Sequence, residues 1–140
     1  MQKEQQQLAA LVRGKKVAFI GAGVSHKALI KEFVGLGAEV TLCDKKPSVE
    51  AFGDYAGTIR RLGVRLSLGE NYMDGFRGQD IILRTPGFEY YQKPLQDAIA
   101  AGTMVTSEVE LFFDLCPCEI VAVTGSDGKT TTTTLISEMF

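Results

Sequence analysis

Apolar residues are grouped along this chain into five short runs that are separated by longer segments of mixed polarity. The runs are rich in valine, isoleucine, leucine and phenylalanine, which is typical of strands in a buried parallel sheet. They lie near residues 16–20, 39–43, 64–68, 80–84 and 103–106. Regular alternation of such runs with helical segments favours parallel strands with helices on both faces. We therefore predict an α/β, Rossmann-like fold with a five-stranded, mainly parallel sheet.

The segments between these runs carry apolar residues at the spacing of amphipathic helices. Leu29, Phe33 and Leu36 follow one another at intervals of four and three residues, and glycines at positions 35 and 37 indicate where that helix ends. Ser107 and Glu110 have the spacing of a capping box, which predicts a further helix start. Other helices are predicted at 2–12, as a lid or leader, at 49–62, ending at Gly63, and at 93–101.

The first apolar run leads directly into a glycine-rich turn, Gly21-Ala22-Gly23-Val24-Ser25-His26. Two glycines allow a tight turn and the close approach of a phosphate to the N-terminus of the following helix. Ser25 has two open roles, as a helix cap or as a donor to that phosphate. His26 stands where a dinucleotide-binding fingerprint has its third glycine, which weakens an NAD-binding interpretation. We predict a solvated side chain for His26.

Candidate ligand contacts follow two other predicted strands. Asp44 comes 21 residues after Gly23, close to the roughly 20 expected for an acid that hydrogen-bonds a ribose or base. Lys45 and Lys46 have the charge to meet a phosphate, although a solvated turn remains the alternative for this segment. Gly87, in Thr85-Pro86-Gly87, brings bare backbone to the same edge of the sheet. We predict that Gly23, Ser25, Asp44 and Gly87 converge there.

A second phosphate-binding pattern comes near the end of the chain. The apolar residues 120–123 predict a strand, and the loop that follows combines two glycines with a lysine and a run of threonines at a helix start. Lys129 would neutralise the β and γ phosphates of a nucleoside triphosphate, and Thr130 would bind Mg²⁺ through its hydroxyl. The loop differs from GxxxxGK[ST] because Val123 occupies the place of the first glycine. The predicted nucleotide-binding residues are Gly125, Ser126, Asp127, Gly128, Lys129, Thr130 and Thr131.

The residues after this loop are too few for a complete nucleotide-hydrolysing domain. Such a domain needs further strands and an acidic Mg²⁺ partner after the helix, so we expect the chain to be a fragment. We predict a first domain at 1–116 and the beginning of a second at 117–140, divided where Pro117 must stop the preceding helix. We expect residues 117–140 to pack on the first domain or on a neighbouring molecule, the latter by self-association.

Charge and composition exclude several classes of partner. Fifteen basic and seventeen acidic residues give a net charge of −2, which provides no electrostatic footprint for nucleic acid or an acidic membrane. The sequence shows neither an apolar run of roughly 18 residues nor the apolar core of a signal peptide, which predicts a cytoplasmic protein.

Among the three cysteines, Cys43 is predicted to be buried and inert. Cys116 and Cys118 are too close for an ordinary bridge and lack further zinc ligands.

Together these motifs resemble those of the Mur ligase family, the ATP-dependent enzymes that build the peptide of bacterial peptidoglycan. The loop TGSDGKTT, which begins at Thr124, is similar to the family's TGTNGKTT, with Asp127 in place of the commoner asparagine. The segments TPG, at 85–87, and EVELF, at 108–112, are similar to those of the member that adds D-glutamate to UDP-N-acetylmuramoyl-L-alanine. The resemblance covers nearly the whole chain.

The resemblance implies a three-domain parent, of which this chain would hold the UDP-binding domain and the start of the ATPase domain. In the parent, ATP would activate the substrate carboxylate as an acyl phosphate, which the amine of D-glutamate then displaces. Lys129 and Thr130 would serve ATP and Mg²⁺. The fragment itself is expected to bind the UDP moiety without catalysis. By position, the UDP moiety would be held by Val24 and Ser25 with Asp44, Lys45, Lys46 and Gly87.

Two other interpretations remain open. The first βαβ unit alone is compatible with an NAD-binding oxidoreductase or a nucleotide-sensing module, although the second phosphate loop argues against both. Another Mur ligase, or a ligase like folylpolyglutamate synthase, would share that loop, and the TPG and EVELF segments argue for the D-glutamate-adding member instead.

Overall fold

A five-stranded parallel sheet forms the centre of the computed structural model, which describes residues 2–139. Its order is β3-β2-β1-β4-β5, and all four pairs of neighbours are parallel. The chain moves from β1 to one side of the sheet and then returns to build the other side. The α/β prediction is therefore confirmed. The strands are β1 (Lys16–Ile20), β2 (Glu39–Asp44), β3 (Arg65–Leu68), β4 (Ile81–Leu83) and β5 (Met104–Thr106).

Helices connect the strands and cover the sheet. The α-helices are α1 (Gln2–Val12), α2 (Val24–Gly35), α3 (Tyr55–Leu62), α4 (Lys93–Ala100), α5 (Glu108–Leu115) and α6 (Lys129–Met139). The single helix predicted at 49–62 is divided into a 3₁₀ helix, Val49–Phe52, and α3, because Gly53 turns the backbone to a φ of 57°. A second 3₁₀ helix, Tyr72–Phe76, was not predicted. As predicted, Gly63 ends α3 in the left-handed conformation and Ser107 caps α5.

Each face of the sheet carries its own apolar core because successive strand residues point to opposite faces. On one face Phe19 and Leu42 pack with Phe33 of α2 and Ile59 of α3. On the other face the core is built around the second 3₁₀ helix and α4. Its buried members include Ala18, Cys43, Phe76, Ile82 and Leu95. The predicted covering of both faces is confirmed.

The first helix, α1, belongs to the core, so its prediction as a lid or leader is wrong. Val12 is fully buried in the first core, and Leu8 and Leu11 pack against that core. The helix also contacts α5. Its apolar side packs against the first core and α5, because an amphipathic helix gains most of its stability by burying that side.

Residues 117–139 contribute nothing to either core. The strand predicted at 120–123 is absent among the described strands, and no residue from 117 to 139 is buried. A strand needs a partner for its N–H and C=O groups, and none of the five strands pairs with this segment. Packing on the first domain is therefore contradicted, whereas self-association stays a prediction. The domain division at 116 also stays a prediction, although α5 ends just before it.

No helix between residues 2 and 139 is long and apolar enough to cross a membrane.

Candidate functional site

A crevice of about 410 Å³ opens at the carboxyl ends of the central strands. It lies between β1 and β4, where the strand order reverses, and ligands of open parallel sheets bind at such a switch point. Gly21 follows β1, Asp44 closes β2, and Thr85 and Gly87 follow β4. The fold therefore brings residues from three strand ends to one cavity.

Gly21 lies close to both of the other strand ends. Its N–H donates to the carbonyl of Cys43 over 2.8 Å, and its φ of 77° lies in the left-handed region that favours glycine. A Cβ atom here would lie 3.9 Å from both Asp44 Oδ2 and Thr85 Cγ2. The Asp44 carboxylate thus faces the glycine turn across the crevice.

The predicted contacts of the glycine turn lie at the start of α2. Gly23 is the N-cap residue with an extended backbone, which removes the capping role left open for Ser25. The first backbone bond of the helix runs from Lys27 N–H to Gly23 C=O over 3.0 Å, so the preceding N–H groups have no intrahelical acceptor. Val24 is 91% exposed, and Ser25 lines a separate cavity beside α5. Gly23, Val24 and Ser25 are not part of the crevice lining, so the convergence of Gly23 and Ser25 with Asp44 and Gly87 stays a prediction.

The only histidine of the sequence, His26, is buried, so its prediction as a solvated residue is wrong. Its side chain is 1% exposed, and Nδ1 lies 2.9 Å from the carbonyl oxygen of Gly21. The ring packs edge-on against Phe19 at 5.3 Å between centroids. The tight turn after β1 brings a backbone carbonyl within reach of the helix, and this gives the imidazole a buried partner.

Not every side chain of the turn after β2 lies in the crevice. Asp44 and Lys45 line the crevice. Asp44 Oδ1 accepts a hydrogen bond from Lys46 N–H over 3.0 Å. The Lys46 ammonium instead donates to Ala51 C=O over 2.8 Å and lies above the Phe52 ring. The structure therefore gathers Asp44, Lys45 and Gly87 and places the Lys46 ammonium elsewhere, while their roles in binding stay predictions.

Several crevice residues were missed by the sequence analysis. Tyr72 is carried to the wall by the second 3₁₀ helix, and Phe88, Glu89 and Gln92 follow the TPG turn. Burial, and then the charge of Asp44, raise the pKa of Tyr72, so its hydroxyl remains a neutral hydrogen-bond donor. The position of Tyr72 near the end of a predicted strand was a usable clue, but its inward direction depends on the unpredicted 3₁₀ helix.

Cys43 lines the crevice and is fully buried. Burial raises the pKa of its thiol from 9.0 to about 12, and thiol reagents attack the thiolate. Since the folded pKa lies above the unfolded one, this group's contribution to stability is complete below about pH 9 and is lost as the pH rises towards about 12. The prediction of a buried cysteine is confirmed, and its inertness stays a prediction.

We expect a thiol reagent to label Cys118 quickly and Cys43 slowly in the folded chain at about pH 8. Cys118 is exposed and Cys43 is buried. Mass spectrometry of digested samples would give the rate at each site, and the chain in denaturant is the control, because all three cysteines should then react. Equal folded-state rates at the two sites would contradict this assignment.

In the second phosphate-binding loop, which begins at Thr124, the Lys129 side chain forms hydrogen bonds with backbone carbonyls of the same loop. Lys129 begins α6, and its ammonium donates to the carbonyls of Gly125 over 2.5 Å and Ser126 over 3.2 Å. Gly125 and Gly128 have positive φ values of 153° and 74°, as a curled loop requires. These residues fit a phosphate, because a positive charge and a helix N-terminus meet at the loop.

The fit to Mg²⁺ is only partial. Thr130 provides a hydroxyl in the first turn of α6. Within residues 2–139, no group of three histidine, cysteine or acidic side chains is placed to hold a metal ion. Mg²⁺ prefers carboxylate, phosphate and water oxygens in octahedral geometry. The loop would therefore supply one ligand and would depend on the nucleotide and on other groups for the rest.

Curated relatives match nearly all of this chain. It is 48% identical over 128 residues to the UDP-N-acetylmuramoylalanine–D-glutamate ligase of Acetivibrio thermocellus, with 91% of the chain and 27% of that protein covered. It is 44% identical over 136 residues to the protein of the same name from Clostridium novyi, with 97% and 30% covered. The chain thus spans less than a third of the length of these relatives. No family model matches it.

Solved structures share the fold. A murein peptide ligase from Psychrobacter arcticus superposes with a TM-score of 0.58 at 22% identity, covering 89% of this chain and 26% of that one. The A chain of dipicolinate synthase from Bacillus subtilis gives a TM-score of 0.56 at 14% identity, with 98% and 50% covered. At these identities the likeness shows the Rossmann-like architecture alone.

Proposed function

Because this chain belongs to the Mur ligase family, we propose that its crevice binds the uridine diphosphate part of UDP-N-acetylmuramoyl-L-alanine. The whole protein would then be an ATP-dependent, ADP-forming ligase that adds D-glutamate to this substrate in peptidoglycan synthesis. One observation carries the proposal: a chain 44–48% identical to ligases of that name has a crevice lined by Gly21, Asp44 and Gly87 at the carboxyl ends of its strands.

The charges around the crevice suggest how the nucleotide is oriented. The pyrophosphate would lie at the N-terminus of α2, where unpaired N–H groups and the helix dipole favour an anion. Asp44 repels a phosphate and accepts hydrogen bonds, so it would face the ribose hydroxyls or the uracil N–H. Lys45 would offset part of the phosphate charge, and Gly87 would present backbone without a side chain. In this arrangement the Tyr72 hydroxyl, which also lines the crevice, would donate a hydrogen bond to the nucleotide.

The second phosphate loop would contribute to the ATP site of the whole enzyme. Bound ATP supplies the phosphoryl group that activates the substrate carboxylate. Lys129 would release the Gly125 and Ser126 carbonyls and offset charge on the phosphate oxygens. Thr130 would provide one oxygen to Mg²⁺.

Calorimetric titration of the purified chain tests the proposal against its rival. We expect UDP and UDP-N-acetylmuramoyl-L-alanine to bind and NADH to bind more weakly than either, because His26 replaces the third glycine of the dinucleotide fingerprint. Tighter binding of NADH than of UDP would favour an oxidoreductase or nucleotide-sensing module instead. Magnesium should be omitted in one series, so that the second phosphate loop does not contribute.

We expect Asp44→Ala to weaken binding of UDP-N-acetylmuramoyl-L-alanine by roughly 1–3 kcal/mol, the cost of leaving a buried partner without its acceptor. Calorimetry would measure the change in affinity. The matched control is Asp54→Ala, since Asp54 is an exposed acid that makes no side-chain cap and lies outside the crevice lining. A loss shared equally by both variants would reflect net charge alone and would remove Asp44 from the site.

A further inference from the structure

The His26 side chain links the first turn of α2 to the end of β1. Its Nδ1 atom lies 2.9 Å from the Gly21 carbonyl oxygen, and only 1% of the residue is exposed. A backbone carbonyl accepts and never donates, so Nδ1 must carry a proton for this contact to be a hydrogen bond. The contact is therefore a hydrogen bond only in those forms of His26 in which Nδ1 carries the proton.

With this contact, both the N–H and the C=O of Gly21 are hydrogen-bonded. The N–H of Gly21 donates to the Cys43 carbonyl of β2 over 2.8 Å, and its C=O accepts from His26. Both polar groups of one residue are thus tied to different elements, while its φ of 77° sets the direction of the turn. The residues that follow run straight into α2, whose first N–H groups have no intrahelical acceptor.

The ring also fills space that a third glycine would leave open. A glycine at this place in a dinucleotide-binding turn lets helix and strand pack closely. Here the imidazole packs edge-on against Phe19 of β1, with an angle of 82° between the ring planes. The helix is therefore seated on the strand by a side chain that provides both bulk and a hydrogen-bond donor.

We propose that His26 is a positioning residue that holds the Gly21 to Ser25 turn in the shape that receives the pyrophosphate. The inference rests on the proposed function of the crevice and deepens it. His26 acts through Gly21: its Nδ1–H fixes the carbonyl, and the fixed turn aims the free N–H groups of α2 at one anion. The Nδ1–H donor thus supports binding of the pyrophosphate, whereas the volume of the ring supports packing of α2 on β1.

Two substitutions separate these contributions. His26→Leu keeps most of the bulk and removes the donor, and His26→Asn keeps a donor near the place of Nδ1 and removes most of the bulk. Calorimetry gives the UDP affinity of each variant, and thermal unfolding gives its stability. We expect His26→Leu to bind UDP roughly tenfold more weakly, since the buried carbonyl loses its partner. We expect His26→Asn to bind within about threefold of the unmutated chain despite a lower Tm.

The outcomes distinguish the positioning role of His26 from UDP binding itself. If affinity follows bulk, with His26→Asn the weaker binder, or if His26→Leu binds like the unmutated chain, the positioning role is overturned while UDP binding stands. If the unmutated chain fails to bind UDP, the proposed function is overturned together with the role of His26 in it.

A spectroscopic measurement tests the hydrogen bond without any substitution. Nitrogen-15 chemical shifts of the imidazole report which ring nitrogen is protonated, and this cannot be seen from heavy-atom positions. We expect Nδ1 of His26 to be protonated in the folded chain at neutral pH. An unprotonated Nδ1 would exclude the bond to Gly21 and overturn the proposal whatever the binding data show.

Discussion

The Gly75→Ala variant is expected to lose about 3 kcal/mol of its free energy of unfolding, at the upper end of typical overpacking costs. Gly75 lies in the second 3₁₀ helix, which crosses β2 and β3. An added Cβ would come within 2.6 Å of both Cys43 Sγ and Ser67 Cβ, and within 2.9 Å of Ser67 Oγ. Both neighbours belong to strands paired in register, so the 3₁₀ helix would have to lift away from the sheet.

Urea denaturation would measure this loss, and the chain offers a matched control. Gly57 lies inside α3, where an added Cβ would meet nothing within 4 Å. Gly57→Ala should therefore stabilise the chain, by about 0.5–1 kcal/mol, because alanine loses less backbone entropy in a helix. We therefore expect the two substitutions to change the free energy of unfolding in opposite directions. A stabilised or unchanged Gly75→Ala variant would show that the 3₁₀ helix does not pack as described.

Gly75 also affects the shape of the crevice, through the placement of Tyr72. Tyr72 and Phe76 belong to the 3₁₀ helix that contains Gly75, and Tyr72 lines the crevice wall while Phe76 is buried in the core beneath it. A shift of this helix would move Tyr72 away from Asp44. The close approach that glycine permits at 75 is thus a condition for the shape of the candidate site.

The sheet could be predicted because the local sequence of each strand identifies it. Short runs of β-branched and aromatic residues stand between glycines and polar turns, and their alternation with helices leaves few topologies other than a parallel sheet. The carboxyl ends of parallel strands then meet at one edge, so Asp44 and Gly87 could be placed at a common crevice from their positions alone. The binding roles of these residues stay predictions.

Features that depend on tertiary partners could not be predicted. Burial of His26 requires the Gly21 carbonyl to turn towards α2, and no spacing in the sequence reports this contact. The inward direction of Tyr72 similarly depends on packing of Gly75 against the sheet. Conversely, residues 120–123 have the composition of a strand but no neighbour to pair with, and Val121 is 71% exposed. Strand propensity measures how well a residue fits a sheet that must already be present.

We expect this chain to bind uridine nucleotides and yet to show no ligase or ATPase activity. Lys129 donates to its own loop carbonyls, and Thr130 is one hydroxyl ligand where Mg²⁺ needs several. Phosphoryl transfer depends on holding nucleotide, metal and acceptor in line. Residues 2–139 include no acidic cluster for the metal, and no residue from 117 to 139 is buried against the first domain. We therefore expect that these residues alone do not assemble the in-line geometry.

Phosphate release from ATP, with Mg²⁺, UDP-N-acetylmuramoyl-L-alanine and D-glutamate present, is the measurement for this prediction. The rate should equal that of Lys129→Ala, which removes the ammonium that would offset phosphate charge. UDP affinity should also be equal in the two proteins, because Lys129 lies outside the crevice lining, and this equality shows that both are folded. Turnover above the Lys129→Ala control would mean that these residues alone assemble a working ATP site, and the assignment of catalysis to the whole ligase would then be wrong.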